Sequence, residues 1–205
     1  QITALDGGDY IGGLVGFFYN QAQIENSHSE GNITDNTNDS TIYVGGLVGW
    51  FDGANSSNTK ITKSWSSVEI NSTDSDGDYI GGFVGRMYNR GLIEDSYATG
   101  NVTALNIPAG VNDYTGGFAG QIDTNYPTIK RSYATGDLHG EHRVAGFIGR
   151  INQNGIIEGS YATGNVIGEL DANGGFVGEM GYTTTWGDVK ITDSWATGNV
   201  TGRGL

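Results

Sequence analysis

Apolar and small residues recur along the chain in six similar blocks, each of which opens on a glycine-rich segment. The six segments are IGGLVGFF (11–18), VGGLVGWF (44–51), IGGFVGRM (80–87), TGGFAGQI (115–122), VAGFIGRI (144–151) and NGGFVGEM (173–180). In the third block every second residue from Phe83 to Met87 is apolar or glycine, and alternate residues of a strand point to opposite faces. This pattern predicts a strand with Phe83, Gly85 and Met87 on its core face, and no stripe of helical period competes with it.

A second, seven-residue motif follows each glycine-rich segment. It reads SYATGNV (96–102 and 160–166), SYATGDL (132–138) and SWATGNV (194–200), with divergent copies SHSEGNI (27–33) and SWSSVEI (64–70). Between the two motifs lies an isoleucine, at positions 24, 61, 93, 129, 157 and 191. By alternation, Ser96, Ala98, Gly100 and Val102 are predicted to face inward, and the residues between them outward.

The spacing of these blocks predicts the architecture. The second glycine of each segment (13, 46, 82, 117, 146 and 175) recurs every 29 to 36 residues, and the extra residues fall in stretches rich in Asn, Asp, Ser and Gly that are typical of loops. Such repeats, without hairpin signals between them, favour an all-β, parallel β-solenoid of about six coils with two or three short strands per coil. A meander or a propeller is the weaker alternative, because propeller repeats run to about 40–50 residues.

We expect residues 1–205 to form a single β-solenoid repeat domain, with strands starting near 11, 44, 80, 115, 144 and 173. Because the chain begins with Gln1 rather than Met, we also expect it to be a fragment of a longer protein.

Composition narrows the classes of function. The chain has 10 Lys and Arg against 23 Asp and Glu, a net charge of −13, so it lacks the basic surface that nucleic-acid binding requires. The absence of any apolar run of about 20 residues predicts no direct membrane insertion. There is no cysteine, which excludes disulfides and thiol chemistry. Few lysines and many Asn, Thr, Ser, Gly and Asp residues favour an extracellular or cell-surface protein.

The repeated unit Gly-Gly-[Leu/Phe]-[Val/Ala/Ile]-Gly, followed by Ile-x-x-Ser-[Tyr/Trp]-Ala-Thr-Gly-[Asn/Asp]-[Val/Leu], resembles the GLUG motif. The resemblance covers essentially the whole chain and is most specific in the third to sixth copies. GLUG repeats occur in large secreted and surface proteins of bacteria and archaea, including adhesins and accessory regions of some IgA-cleaving metallopeptidases. The resemblance therefore implies an extracellular, non-catalytic module, and the chain contains no HExxH zinc motif.

Stacking the coils aligns one aromatic column on the outer face: His28, Trp65, Tyr97, Tyr133, Tyr161 and Trp195. One interpretation is that these rings stack on each other and stabilise the sheet. The other is a ligand platform, in which Trp65, Tyr97, Tyr133, Tyr161 and Trp195 bind a sugar and the neighbouring Asn101, Asn165 and Asn199 bond its hydroxyls. The neighbouring threonine columns are too irregular to favour an ice-binding face.

Acidic residues suggest one metal site. The segment DSDGD places Asp74, Asp76 and Asp78 at alternate positions, where their carboxylates could converge on Ca²⁺. A solvated acidic turn is the alternative, because the distal glutamate of an EF-hand is missing. His139 and His142 share one short loop without an evident third ligand, and no catalytic motif repeats, so we do not expect an enzyme.

Two functions remain open from the sequence. One is an adhesin module that binds a glycan or a cell-surface protein through its outward aromatic, Thr and Asn ladders and loops. The other is a structural spacer or a fibre or sheath subunit, which joins flanking domains or self-associates end to end.

Overall fold

The regular structure of the chain is β-strand throughout the part described by the computed structural model, which comprises residues 1–4, 10–36, 41–54, 56, 58–73, 78–105, 113–181 and 188–203. The strands form four sheets in which neighbours along each sheet come from successive repeats and run parallel. The second and third sheets have six strands each. The chain is therefore a parallel β-solenoid of six coils, as the sequence predicts.

The strands of the first sheet are β2 (Tyr10–Gly12), β6 (Tyr43–Gly45), β10 (Tyr79–Gly81), β15 (Tyr114–Gly116) and β20 (Val144–Ala145). The strands of the second sheet are β3 (Val15–Tyr19), β7 (Val48–Asp52), β11 (Val84–Tyr88), β16 (Ala119–Asp123), β21 (Ile148–Ile151) and β25 (Val177–Met180). Those of the third sheet are β4 (Gln23–Glu25), β8 (Lys60–Thr62), β12 (Gly91–Glu94), β17 (Pro127–Lys130), β22 (Ile156–Glu158) and β26 (Lys190–Thr192).

The fourth sheet is the largest and carries the seven-residue motif. Its strands are β1 (Ile2–Ala4), β5 (His28–Asp35), β9 (Trp65–Ser72), β13 (Tyr97–Ala98), β14 (Val102–Ala104), β18 (Tyr133–Ala134), β19 (Leu138–Gly140), β23 (Tyr161–Ala162), β24 (Val166–Gly168), β27 (Trp195–Ala196) and β28 (Val200–Gly202). The first two coils cross this sheet with one eight-residue strand each, whereas later coils use two short strands separated by a bend at Gly100 and its equivalents. Strand β9 pairs with both β13 and β14 where this change occurs.

The prediction of two or three strands per coil is wrong, because most coils contain four or five. The glycine-rich segment, expected to be one strand, bends after its first glycine and splits into a strand of the first sheet and a strand of the second. The coils stack so closely at this bend that a Cβ on Gly82 would lie 2.2 Å from the carbonyl oxygen of Gly117 in the next coil. Only glycine fits such an approach.

The core face of the glycine-rich segment also departs from simple alternation. Phe83, Gly85 and Met87 are buried as predicted, but Val84 is fully buried beside them in the same core cluster. The paired register passes from Val84 to Arg86 without Gly85, so regular alternation of the strand is interrupted at that glycine.

Two hydrophobic clusters fill the interior. The larger contains the phenylalanine column and the isoleucine column, of which Phe83 and Ile93 are representative and fully buried. The smaller lies between the first sheet and those strands of the fourth sheet that follow the bend, and it includes Ile80 and Val102. The predicted columns of Leu/Phe, Ile and Val, with small Ser and Ala residues between them, are thus confirmed.

Candidate functional site: the outer ladders of the fourth sheet

The seven-residue motif presents one face to the core and the other to the solvent. Ser96, Ala98, Gly100 and Val102 are buried, whereas the intervening residues are exposed or half-buried. The alternation predicted from the sequence is confirmed here, and it persists across the bend at Gly100. The outward residues therefore form columns that run from coil to coil along the solenoid.

The aromatic column is a continuous stack of rings. Its members are His28, Trp65, Tyr97, Tyr133, Tyr161 and Trp195. Neighbouring ring centroids lie 4.4 to 5.9 Å apart, and the ring planes are within 6° of parallel. The structure thus brings together all five aromatic residues predicted to bind a ligand.

This stacking determines which ring surfaces remain open. A sugar packs on the face of an aromatic ring, and each ring from Trp65 to Tyr161 has another ring on both of its faces. Trp195 differs, since among the described residues its one ring neighbour is Tyr161, and half of the residue is exposed. Along most of the ladder, therefore, only ring edges face the solvent.

The three predicted asparagines belong to a second ladder, which is held by hydrogen bonds. Asn101 Oδ1 accepts the backbone N–H of Asp137 at 2.9 Å, and Asp137 Oδ1 accepts that of Asn165 at 2.8 Å. Asn165 Oδ1 in turn accepts the N–H of Asn199 at 3.2 Å. These side-chain oxygens bond to the next coil, so their role is to hold neighbouring coils together. A shallow groove of about 370 Å³ runs beside the ladder and is lined by Asp137, Leu138, Asn165, Val166, Ile167, Asn199 and Thr201.

A serine ladder lies underneath, on the buried face. Ser96 Oγ accepts the backbone N–H of Ser64 at 3.2 Å and donates to the carbonyl of Glu94 at 2.8 Å, and Ser132 and Ser160 repeat the arrangement. These serines are fully buried, which explains why a small hydroxyl residue recurs there. The sequence places them in the core, and the structure adds their bonding role.

Two of the three predicted calcium ligands, Asp74 and Asp76, lie outside the described residues. The third, Asp78, is buried, and its Oδ1 accepts the backbone N–H of Ile42 at 3.1 Å. Among the residues that the structure describes, no group of three or more His, Asp or Glu side chains could hold a metal ion. Calcium binding stays a prediction.

The two histidines of the 139–142 loop separate into two ion pairs. His139 Nε2 lies 2.7 Å from Glu169 Oε1, and His142 Nδ1 contacts Asp171 Oδ1. Hydrogen bonding to His139 lowers the pKa of Glu169, and hydrogen bonding to His142 lowers the pKa of Asp171. Each pair links neighbouring coils, which is a structural arrangement.

The sequence pattern was not recognised for a second aromatic row, which lies on the first sheet. Tyr10, Tyr43, Tyr79 and Tyr114 precede the glycine-rich segments, and adjacent rings stack with centroids 4.8 to 5.4 Å apart. Burial raises the pKa of Tyr79. The Arg86 guanidinium lies against this row and pairs with Asp123 at 3.0 Å. The signal was available, since a tyrosine stands at the same place in four consecutive blocks.

The fold and its ladders define the class of the molecule: a parallel β-solenoid repeat protein whose outer columns bond from coil to coil. Three of its six coils match a known repeat motif. The GLUG motif matches residues 7–34, 76–103 and 140–167, which are the first, third and fifth coils. The coils between them pair with these in register, so the same unit continues through them. The resemblance stated from the sequence is confirmed.

Two curated relatives extend this result. Over 167 residues the chain is 36% identical to Halomucin of Haloquadratum walsbyi, a match covering 80% of this chain and 1% of that protein. Over 94 residues it is 36% identical to an Immunoglobulin A1 protease of Streptococcus sanguinis, covering 45% of this chain and 5% of that protein. The chain thus spans only a small part of these relatives. No solved structure matches it. Within the described residues, no helix is long and apolar enough to cross a membrane.

Proposed function

We propose that the chain is a non-catalytic, structural module of an extracellular surface protein, in which the solenoid acts as a rigid spacer. The observation that carries this proposal is the use of the outward ladders between coils. Ring faces from Trp65 to Tyr161 cover each other, and the Asn101, Asp137 and Asn165 oxygens bond the following coil. A repeated motif whose outer groups bond to their own copies supports stiffness more directly than it supports recognition.

An extracellular location is supported by similarity and by composition. The relatives are named Halomucin and Immunoglobulin A1 protease, and the resemblance to the GLUG motif implies a secreted or surface protein. The composition, with a net charge of −13 and no cysteine, fits a soluble module in such a setting.

The test compares two rings of the aromatic ladder. Tyr161→Ala removes a ring with a neighbour on each face, whereas Trp195→Ala removes a ring with one. We expect Tyr161→Ala to lower the free energy of unfolding by about 1–3 kcal/mol, more than Trp195→Ala does, with no effect on any glycan binding. Loss of glycan binding at an unchanged melting temperature in Tyr161→Ala would contradict the structural role and restore the ladder as a ligand platform.

Self-association end to end is the second candidate. Met180, Trp195 and Val200 in the sixth coil are about half exposed, although their equivalents in earlier coils stack on a following coil. At the opposite end, β1 already pairs with β5. Another copy would therefore have to displace Ile2–Ala4 or do without pairing to β5. Sedimentation over a range of concentrations tests this. Filaments that form more readily after deletion of residues 1–4 support assembly, and a monomer at all concentrations argues against it.

A further inference from the structure

Two open grooves lie on the edge where the chain turns from the second sheet to the third. One, of about 340 Å³, is lined by Tyr88, Thr124, Asn125, Gln153 and Asn154, and we call it the amide groove. The other, of about 320 Å³, is lined by Arg90, Gly91, Leu92, Tyr126 and Thr128, and we call it the tyrosine groove. Thr124 and Asn125 line the amide groove, and the next residue, Tyr126, lines the tyrosine groove, so the two adjoin along one turn.

That turn is one residue longer than its equivalents in the third and fifth coils, and three consecutive residues in it adopt positive φ. The register pairs Tyr88 with Asp123 and Gly91 with Pro127, so the fourth coil has one more residue here than the third. Thr124, Asn125 and Tyr126 all adopt positive φ, at 57°, 47° and 65°. A threonine and a tyrosine rarely adopt this conformation, and such strain is concentrated at functional sites.

The longer turn places one aromatic ring, that of Tyr126, at the surface. Tyr126 is 48% exposed, and its ring contacts no other aromatic ring in the described part of the chain. The other exposed rings, such as Tyr10 and Trp195, each pack against a neighbouring ring. Tyr126 therefore offers an open aromatic face that the ladder rings from Trp65 to Tyr161 lack.

Polar groups beside this ring are held in place. Asn89 Oδ1 accepts hydrogen bonds from Asn125 Nδ2 at 2.9 Å and from Thr124 Oγ1 at 3.3 Å, while Asn89 Nδ2 donates to Asp52 Oδ1 at 2.8 Å. The half-buried side-chain amide of Gln153 has no hydrogen-bond partner among the described residues. It can donate to a bound molecule and accept from it.

We propose that the two grooves together form a binding site for a neutral oligosaccharide. The flat ring of Tyr126 suits the apolar face of a pyranose, and the amides and hydroxyls suit its hydroxyl groups. The amide groove contains no charged residue, and the net charge of −13 disfavours anionic sugars. This site goes beyond the spacer role, since it adds recognition at a place that the repeated ladders do not reach.

The experiment titrates the ¹⁵N-labelled chain with maltotriose and chitotriose, with trigalacturonate as the acidic counterpart, and follows amide chemical shifts. Tyr126→Asn removes the ring and keeps a residue that tolerates positive φ. Gln153→Ala removes an amide that makes no hydrogen bond within the described part of the chain. Tyr10→Asn is the control, because Tyr10 has a similar exposure on a different sheet.

We expect a neutral trisaccharide to shift the signals of residues 124–126 and 153–154. Tyr126→Asn should weaken that binding about tenfold or more, Gln153→Ala should weaken it by a smaller factor, and Tyr10→Asn should leave it unchanged. Absence of shifts with both neutral sugars at about 10 mM would overturn the proposal. Shifts confined to the aromatic ladder, or binding of trigalacturonate alone that is lost in Arg90→Gln, would overturn it as well.

Discussion

Asp137 Oδ1 accepts two hydrogen bonds from Asn165 in the next coil, one from the backbone N–H at 2.8 Å and one from Nδ2 at 3.0 Å. Asn165 Oδ1 repeats both contacts with Asn199, at 3.2 Å each. A carboxylate and a carboxamide are equivalent acceptors here, because the hydrogen bonds to the next coil need only Oδ1. This explains why the motif accepts either Asn or Asp at this position.

Replacing Asp137 by alanine tests this ladder. Asp137→Ala removes the acceptor for the backbone N–H and the side-chain amide of Asn165, and we expect it to lower the free energy of unfolding by about 1 kcal/mol. Asp137→Asn keeps Oδ1 and should change that free energy by less than about 0.5 kcal/mol. Urea denaturation of both variants gives the comparison. Equal losses in the two would show that the charge, rather than the acceptor, is what matters.

Two glycines of one column are expected to tolerate substitution by alanine very differently. A Cβ on Gly146 would lie 2.2 Å from the carbonyl oxygen of Gly175, whereas a Cβ on Gly175 would lie 3.4 Å from the Ala196 Cβ. We expect Gly146→Ala to cost about 3 kcal/mol or to prevent folding, and Gly175→Ala to cost less than about 1 kcal/mol. Thermal melting followed by circular dichroism measures both. Similar melting temperatures would contradict the close stacking of coils at the bend.

The sequence predicted the repeat, the parallel solenoid and the inward face of the motif because each depends on a local pattern. The alternation from Ser96 to Val102 needs only the period of a strand, and the recurrence of the glycine segments gives the stacking. It failed where the path of the backbone depends on contacts between coils. The bend at Gly82 brings the backbone against Gly117 of the next coil, and the interruption of alternation at Gly85 is visible only in the pairing between coils.

The candidate site was predictable only in part for the same reason. The alignment of Tyr97 with Tyr133 follows from the repeat, but whether their ring faces are open depends on the spacing of the coils. The grooves beside Tyr126 do not follow from the repeat, because they lie at a turn that is one residue longer than its equivalent in the third coil.

Acid should weaken the ion pairs on the third sheet. Hydrogen bonding to Arg131 lowers the pKa of Asp95, and Arg131 Nε lies 2.7 Å from its Oδ1. A carboxyl group with a lowered folded-state pKa stabilises the fold above its unfolded pKa of about 3.9, and this contribution is lost as the pH falls through the folded value. We expect the wild type to melt above Asp95→Asn from pH 5 to 7, and the difference to shrink below about pH 4.

Salt provides the control for that prediction, because the pair is exposed to solvent. In 1 M NaCl the difference between wild type and Asp95→Asn should fall at pH 7 as well. A difference that grows on acidification would contradict the assigned pair.

Arg86 is expected to stabilise the fold strongly for a polar residue. Its guanidinium pairs with Asp123 at 3.0 Å, with both side chains mostly buried. It also lies 4.8 to 6.0 Å from the ring centroids of Tyr43, Trp50, Tyr79 and Tyr88. Arg86→Ala should cost about 3–5 kcal/mol, because it leaves the Asp123 charge buried and removes the cation from the rings.

A lysine at position 86 keeps the charge but loses the planar fork, so Arg86→Lys should fall between the wild type and Arg86→Ala. Exposed Arg90, four residues further along the chain, is the matched control, and Arg90→Ala should stay within about 0.5 kcal/mol of the wild type. Urea denaturation of the three variants orders them. If Arg86→Ala were as mild as Arg90→Ala, the aromatic row would owe its stability to the stacking of the tyrosines alone, and the cation between the rings would contribute nothing measurable.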